Sequence, residues 1–361
     1  EIANAYFGGR QNEQADFRFT FGGKKLHVNR VWLRLPESKA HPFTWTNATA
    51  GTNNWAPNAN WLGGIVAQPD PTSTVRFFTD QTMSGGTVSI SNNVGSQVFN
   101  RIELDGAASS AADTTVTLTG QALSLQGNSP EIALHANIAA YGLYYDLQLP
   151  LTLSTQTLLS GDGDANFRIS GIISGTGGLI KTGASTLTLT GSNTFGGGVT
   201  IQNGTLESRT TKTTLGTGTV TMGGSGSTGA TYLTGQNNSN PFVIDAPDSG
   251  NIVIGTNSGG SAFTMSGGIA LNGNLTLQTF DNVISGSTVA SVGITGGVTG
   301  TGNLLLKNLG AAANTITISG TGLNHSGGLT LEGTASGTTT IASNIGSNVT
   351  DITQNSASSL M

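Results

Sequence analysis

The chain has 361 residues, no cysteine and few charges, with 14 lysines and arginines against 19 acidic residues. Neither disulfides nor thiolate metal sites can hold such a fold together, and a basic nucleic-acid-binding protein is not expected. Hydrophobic residues still make up 36% of the chain, so it can build a core, but no apolar run approaches the roughly 18 residues of a membrane-spanning helix.

Residues 1–40 form a basic N-terminal segment in a chain whose remaining part is acidic. Apolar residues alternate along 17–21 and 26–35, which is typical of strands. Two interpretations stay open: an outer cap folded on its own chain, or an arm that pairs with the strand edge of a neighbouring subunit. The residues expected to carry the contact are Phe17, Phe19, Phe21, Val31, Leu33 and Leu35. Because the chain begins with Glu1 rather than methionine, we also expect a processed or excised product.

Residues 41–80 are rich in tryptophan and lead into the body of the chain. Trp45, Trp55 and Trp61 lie here. Bulky aromatic residues can cover the exposed core and unpaired strand edges at the end of a solenoid, which predicts a cap. The alternative is a platform on which these three rings stack against a carbohydrate.

Residues 81–361 predict a right-handed parallel β-helix. Short bursts of alternating Val, Leu or Ile with Thr or Ser, such as 186–190 and 315–319, are separated by Gly- and Asn-rich turns, which is typical of half-buried strands. The block 172–183 is echoed at 297–307, so two long imperfect repeat units are predicted. Stacked coils of about 20–25 residues would bury the aliphatic face of each coil. Two β-sandwich domains are the alternative.

One segment resembles a known repeat. Residues 174–206 read SGTGGLIKTGASTLTLTGSNTFGGGVTIQNGTL, which closely resembles the autotransporter-associated β-strand repeat, also called the passenger-associated transport repeat. In the second copy Leu306 takes the lysine position and Asn324 replaces the aromatic residue. The tryptophan-rich segment is similar to the lead-in of proteins that carry this repeat. The resemblance implies a secreted β-helical surface protein of a bacterium.

A small acidic cluster is the candidate metal site. Asp162, Asp164 and Asn166 are spaced like the first three ligands of a calcium loop, but Phe167 stands where the turn glycine is needed and Ile173 where the bidentate glutamate would be. A turn rich in aspartate and asparagine is one interpretation, and weak calcium binding is another. A third is a catalytic pairing of this cluster with Arg168 or Lys181. No other cofactor is indicated.

These features favour an extracellular structural protein that associates head-to-tail into a homo-oligomer or filament. The basic arm and the absence of a recognisable cap at 350–361 predict an exposed strand edge that another copy could cover. The alternatives are a passenger adhesin that binds surface glycans, and a polysaccharide-degrading β-helix enzyme, although no catalytic constellation is recognisable. Nucleic-acid binding and a membrane span are not expected.

Overall fold

A computed structural model describes the chain in twelve ranges from residue 17 to residue 355. The described residues are 17–21, 24–28, 42–47, 49–79, 86–106, 114–137, 142–209, 214–256, 262–279, 290–309, 314–333 and 337–355, with the backbone alone for 17–21 and 24–28. The chain divides into two compact units, residues 1–41 and residues 42–361.

In the first unit, the described residues form an antiparallel strand pair. Strand β1 (Phe17–Phe21) pairs with β2 (Lys24–Val28), in a register that joins Phe17 to Val28 and Phe21 to Lys24. The strand predicted at 17–21 is therefore present, and β2 occupies the start of the predicted 26–35 strand.

The second unit consists of short strands connected by turns. Its first strands are β3 (Phe43–Trp45), β4 (Gly51–Asn54), β5 (Asp70–Thr79), β6 (Gly86–Asn92), β7 (Gln97–Gly106), β8 (Thr114–Gly120), β9 (Leu123–Leu125), β10 (Glu131–Leu134), β11 (Leu143–Leu147), β12 (Leu151–Leu153), β13 (Thr157–Ser160), β14 (Asn166–Ile169), β15 (Ile173–Gly175), β16 (Leu179–Lys181) and β17 (Thr186–Leu189). The following strands are β18 (Val199–Ile201), β19 (Asn203–Ser208), β20 (Val220–Met222), β21 (Gly229–Thr234), β22 (Phe242–Ile244), β23 (Ile252–Thr256), β24 (Phe263–Met265), β25 (Ile269–Leu271) and β26 (Leu275–Thr279). The last strands are β27 (Ser291–Ile294), β28 (Val298–Gly300), β29 (Leu304–Asn308), β30 (Thr315–Ile318), β31 (Leu323–His325), β32 (Gly327–Gly333), β33 (Thr338–Ile341) and β34 (Val349–Gln354).

Helical structure in the described residues of this unit is confined to two short 3-10 turns, Asn58–Asn60 and Leu62–Gly64. Across the described ranges, no helix has the length and apolar content that crossing a membrane requires.

These strands wind into a parallel β-solenoid with three faces. Face 1 contains β3, β5, β7, β10, β13, β16, β18, β20, β22, β25, β28 and β31. Face 2 contains β4, β6, β8, β11, β14, β17, β19, β21, β23, β26, β29, β32 and β34. Face 3 consists of two stacks, β9, β12 and β15, then β24, β27, β30 and β33.

The parallel pairing confirms the predicted β-helix and is incompatible with two antiparallel β-sandwich domains. Every strand pair described in the second unit is parallel; for example, Leu179 pairs with Val199 and Ile269 with Val298. Coil length therefore varies from 20 residues at the first pair to 29 at the second. The predicted right-handed winding stays a prediction.

The alternating sequence pattern builds the core because alternate side chains of each strand point inward. On face 2 one inward column runs through Val116, Tyr145, Phe167, Leu187 and Leu206, each at most 2% exposed. Each coil thus shares its apolar surface with the coils before and after it, which is the main stabilising contribution in a stack of this kind.

A second inward column of face 2 changes from aliphatic to polar along the solenoid. It begins with Ile90, Leu118, Leu147, Ile169 and Leu189 and continues with Ser208, Thr234, Thr256, Thr279 and Asn308, all at most 2% exposed. The buried polar groups bond to one another across coils: Tyr232 Oη donates to Ser208 Oγ at 2.9 Å, and Thr279 Oγ1 donates to Asn308 Oδ1 at 2.8 Å. Hydrogen bonding offsets the cost of burying these groups.

Corresponding strands of the two sequence copies lie on different faces of the solenoid. Strand β16 of the first copy belongs to face 1, whereas its sequence counterpart in the second copy, Leu304–Lys307, belongs to β29 on face 2. Likewise β17 lies on face 2 and its counterpart β30 on face 3. The same alternating pattern suits every face, because each face needs one inward and one outward side of a strand.

Lys181, the lysine of the repeat, points into the core. It is 0% exposed, and in register it lies between Leu159 and Ile201. Its Nζ donates to the carbonyl oxygen of Gly183, and the Asn203 carbonyl oxygen lies 3.5 Å away. Burial lowers the pKa of Lys181 to about 8, since removing the ammonium group from water disfavours its charged form.

We expect Gly177→Ala to destabilise the solenoid, because a Cβ at this position would overlap the carbonyl group of Thr155 on the preceding coil. The expected loss in free energy of unfolding is about 1–3 kcal/mol, measured by denaturant unfolding. Gly196→Ala is the matched control, since a Cβ there has nothing within 4 Å, and should change stability by less than about 0.5 kcal/mol. Equal stabilities of the two variants would contradict the close approach of coils at Gly177.

We expect Lys181 to make stability depend on alkaline pH. Its pKa is about 8 in the folded chain and 10.5 in the unfolded one, so between these values the unfolded chain binds more protons and the free energy of unfolding rises with pH. Lys181→Met removes this dependence. The stability of Lys181→Met relative to the wild type should therefore fall by about 3 kcal/mol between pH 7.5 and 10.5, as measured by denaturant unfolding.

Lys307→Met is the control for that experiment, because Lys307 lies on the outward side of β29 and pairs in register with Glu332. If the difference in free energy of unfolding between Lys181→Met and the wild type stays constant across this pH range, burial does not disfavour the charged form of Lys181.

Candidate functional site

The three tryptophans of residues 41–80 pack into one cluster. Trp61 contacts Trp45 and Trp55 edge to face, with ring centroids 5.2 and 5.5 Å apart, and Trp55 lies 5.8 Å from the Phe77 ring. Trp61 Nε1 also donates to the Trp55 carbonyl oxygen at 2.8 Å. Because each tryptophan is at most 3% exposed, this geometry favours packing over a glycan platform. The cap itself stays a prediction.

The residues of the predicted interaction arm are only partly described. Phe17, Phe19 and Phe21 lie in β1, which pairs with β2 of the same chain. Val31, Leu33 and Leu35 lie outside the described residues. Pairing of the arm with a neighbouring subunit stays a prediction.

The candidate calcium residues Asp162, Asp164 and Asn166 are all exposed, and the Asp162 side chain is 98% accessible to solvent. His135 Nδ1 lies 3.6 Å from Asp162 Oδ1. Across the described ranges, no three histidine, cysteine or acidic side chains come together as a metal site. Calcium binding by this loop stays a prediction.

The suggested catalytic partners of that loop have other partners in the fold. Arg168 Nη2 donates to Asp146 Oδ2 at 2.5 Å. Lys181 is enclosed in the core, with its Nζ on the Gly183 carbonyl oxygen. Neither contact involves the acidic loop, so the described geometry does not support a catalytic pairing there.

A polar pit on face 2 is the candidate site that the sequence did not predict. It encloses about 430 Å³, and we call it the face 2 pit. Its lining comprises Tyr144, Asn166, Phe167, Arg168, Thr186, Thr188, Thr190, Glu207 and Arg209. The pit forms because the short threonines of β17 lie between longer side chains on β14 and at the end of β19, and strands two coils apart are about 10 Å apart.

The wall on the N-terminal side of the pit is built from an arginine, a tyrosine and an aspartate. The Arg168 guanidinium carbon lies 5.0 Å from the centre of the Tyr144 ring, while its Nη2 binds Asp146. Asp146 is 0% exposed and also accepts hydrogen bonds from Ser170 Oγ at 2.7 Å and Gln148 Nε2 at 2.9 Å. Together these contacts hold Arg168 in place.

Asp146 is ionised despite its burial. Burial by itself would raise the pKa of this carboxyl group, but the hydrogen bonds from Arg168, Ser170 and Gln148 outweigh burial and lower the pKa below its ordinary value. The same contact raises the pKa of Arg168. Burial also raises the pKa of Tyr144, so its hydroxyl group stays protonated at neutral pH.

The opposite wall is an ion pair at the end of β19. Arg209 Nε donates to Glu207 Oε1 at 2.7 Å, and Thr188 Oγ1 lies 3.5 Å from Glu207 Oε2. The Glu207 side chain is 7% exposed and that of Arg209 is 47% exposed. Arg209 therefore presents the accessible charge of this wall.

The pit could have been predicted from the sequence only if the register between coils had been known. Asp146, Arg168, Thr188 and Glu207 occupy one outward column of face 2 on successive coils. They are separated by 19 to 22 residues along the chain. The one signal in the sequence was that charged residues are rare, at 9% of the chain, so each charged residue in a strand was a candidate site residue.

A second charged strip lies on the outer side of face 1. Arg101 Nε lies 2.9 Å from Glu103 Oε1, and Arg101 Nη1 lies 2.5 Å from Glu131 Oε2 on the next coil. Arg76 pairs with Asp105 across β5 and β7. Opposite charges thus alternate across coils, which avoids repulsion between like charges on adjacent strands.

Comparison with known proteins finds the same repeat and one similar curated protein. The family model described as passenger-associated-transport-repeat matches residues 179–207, which run from β16 through β19. The chain is 32% identical over 193 residues to the adhesin BmaC autotransporter of Brucella suis biovar 1 (strain 1330). The aligned region covers 52% of this chain and 5% of that protein. No solved structure matches the chain.

The matched repeat forms parts of successive coils of the solenoid. The alignment with the autotransporter adhesin, over 193 residues, is much longer than this repeat. The chain thus contains a passenger-associated-transport-repeat in a parallel β-solenoid and is similar over about half of its length to an autotransporter adhesin.

Proposed function

We propose that this protein is an adhesin-type passenger that presents its solenoid on the outer surface of a bacterial cell. The observation that carries the proposal is the similarity to an autotransporter adhesin over about half of the chain. A stack of coils supports this role because it exposes long, flat faces whose outward side chains do not contribute to the core. The face 2 pit is the described site most suited to contact with another molecule.

We expect the folded chain to promote attachment. Beads coated with the purified protein should be retained on cultured mammalian cell layers several-fold more than beads coated with the same protein after irreversible heat unfolding. The comparison keeps composition and charge constant, so a difference reports the folded surfaces. Equal retention of the two bead preparations on these cells would contradict the adhesin proposal.

Self-association is the second candidate function, and exposed aliphatic side chains around the last described strand favour it. Among the described residues, β34 pairs with β32 alone, which leaves its other edge unpaired within them. Ile352 in this strand is 51% exposed, and Ile345, which precedes the strand in the chain, is 39% exposed. An exposed edge can pair with another strand, and a head-to-tail contact that does not close produces a filament. We therefore propose that this edge binds a second copy of the chain.

We expect Ile352→Lys to weaken self-association, because it places a charge where the edge would be covered. Sedimentation velocity over a hundredfold concentration range should show larger species for the wild type and fewer for Ile352→Lys. Ile172→Lys is the matched control, since Ile172 is 52% exposed in a turn between coils. A wild-type protein that sediments as a monomer at every concentration would contradict the proposal.

A further inference from the structure

The charges of the face 2 pit are arranged so that its accessible side is positive. Two carboxylates and two guanidinium groups balance in number, yet the Asp146 side chain is 0% exposed and that of Glu207 is 7% exposed. By contrast, the side chains of Arg168 and Arg209 are 36% and 47% exposed. A molecule entering the pit therefore meets guanidinium groups before carboxylates.

Arg168, which lines the pit, has one buried donor without a partner in the described part of the chain. Arg168 uses Nη2 to bind Asp146, but its buried Nε–H makes no hydrogen bond among the described residues. An unpaired donor of this kind costs free energy. Thr188 lies between this arginine and Glu207 in register, and Thr186 lines the same pit two residues earlier in β17. The site thus combines charged donors with neutral hydroxyls that can both donate and accept.

The chemistry of these groups identifies the kind of ligand that fits. Guanidinium groups recognise carboxylates through charge-assisted hydrogen bonds, while threonine hydroxyls and a partly covered glutamate suit the hydroxyl groups of a sugar. The volume of about 430 Å³ lies in the range of small-molecule sites. The floor of short threonines gives a ring room to lie between the two walls.

We propose that the face 2 pit binds an acidic saccharide, with a sugar carboxylate on Arg168 and Arg209 and sugar hydroxyls on Thr186, Thr188 and Glu207. This inference rests on the proposed adhesin function, for which it supplies the class of ligand. Asp146 acts as a positioning residue, because it holds Arg168 without reaching the accessible side of the pit.

Isothermal titration of the full chain with trigalacturonate, an oligomer of a uronic acid, tests this proposal. Maltotriose, of equal length and without carboxylates, is the comparison ligand and should bind at least tenfold more weakly. Arg209→Gln removes one accessible charge, and Thr186→Phe fills the pit from its exposed floor without changing any charge. Each variant should weaken trigalacturonate binding at least tenfold.

Two matched variants control for general effects. Arg101→Gln removes an equally paired arginine from face 1, and Thr276→Phe places the same bulk in the same outward column of face 2, four coils along the solenoid from Thr186. Both should bind trigalacturonate like the wild type. Circular dichroism confirms that each protein is folded, so that loss of binding is assigned to the pit.

Three results would overturn the proposal: no heat of binding with trigalacturonate at millimolar concentration, equal affinity for maltotriose, or unchanged binding by both pit variants. The bead assay separates this failure from failure of the adhesin function. If beads coated with Arg209→Gln or Thr186→Phe are retained like wild-type beads, the adhesin function is supported and the pit does not contribute to it. If the protein binds trigalacturonate but its beads are not retained, the binding site is supported and the adhesin function is contradicted.

Discussion

The stacking of one coil on the next is the interaction on which the rest of this structure depends. Parallel backbone hydrogen bonds join each strand to its counterparts on adjacent coils, and the inward aliphatic columns run continuously across those coils. No single coil can bury its apolar side by itself. The close approach at Gly177, whose amide donates to the Leu153 carbonyl oxygen at 2.9 Å, shows how tightly two coils pack.

Polar groups enter the core where a neighbouring coil provides their partners. The Lys181 ammonium is held by carbonyl oxygens of its own coil and the following one, and Ser208 accepts hydrogen bonds from Thr214 and Tyr232. A slip of one residue in register would turn these groups out of the core and away from their hydrogen-bond partners. We infer that the buried polar column, besides filling space, specifies how the coils align.

The same register determines which outward side chains meet. Face 2 is rich in threonine, and three of its charged residues, Asp146, Arg168 and Glu207, occupy one outward column with Thr188 on successive coils. Long side chains flanking short ones produce a depression in an otherwise flat sheet. A binding site on a solenoid is thus built from several coils, each contributing one or two residues.

The sequence by itself determined the all-β class, the short strands and the repeat, because period-two alternation and glycine-rich turns act within a few residues. The 186–190 strand and the inward position of its leucines followed directly from that pattern. Only the tertiary structure decided which face each strand occupies, since corresponding strands of the two sequence copies lie on different faces. It also decided that Arg168 meets Asp146 rather than the acidic loop, and that Trp45, Trp55 and Trp61 bury one another. Coil lengths vary, with 19 residues between Leu187 and Leu206 but 29 between Ile269 and Val298, so the side chains that become neighbours are set by stacking, which no local pattern encodes.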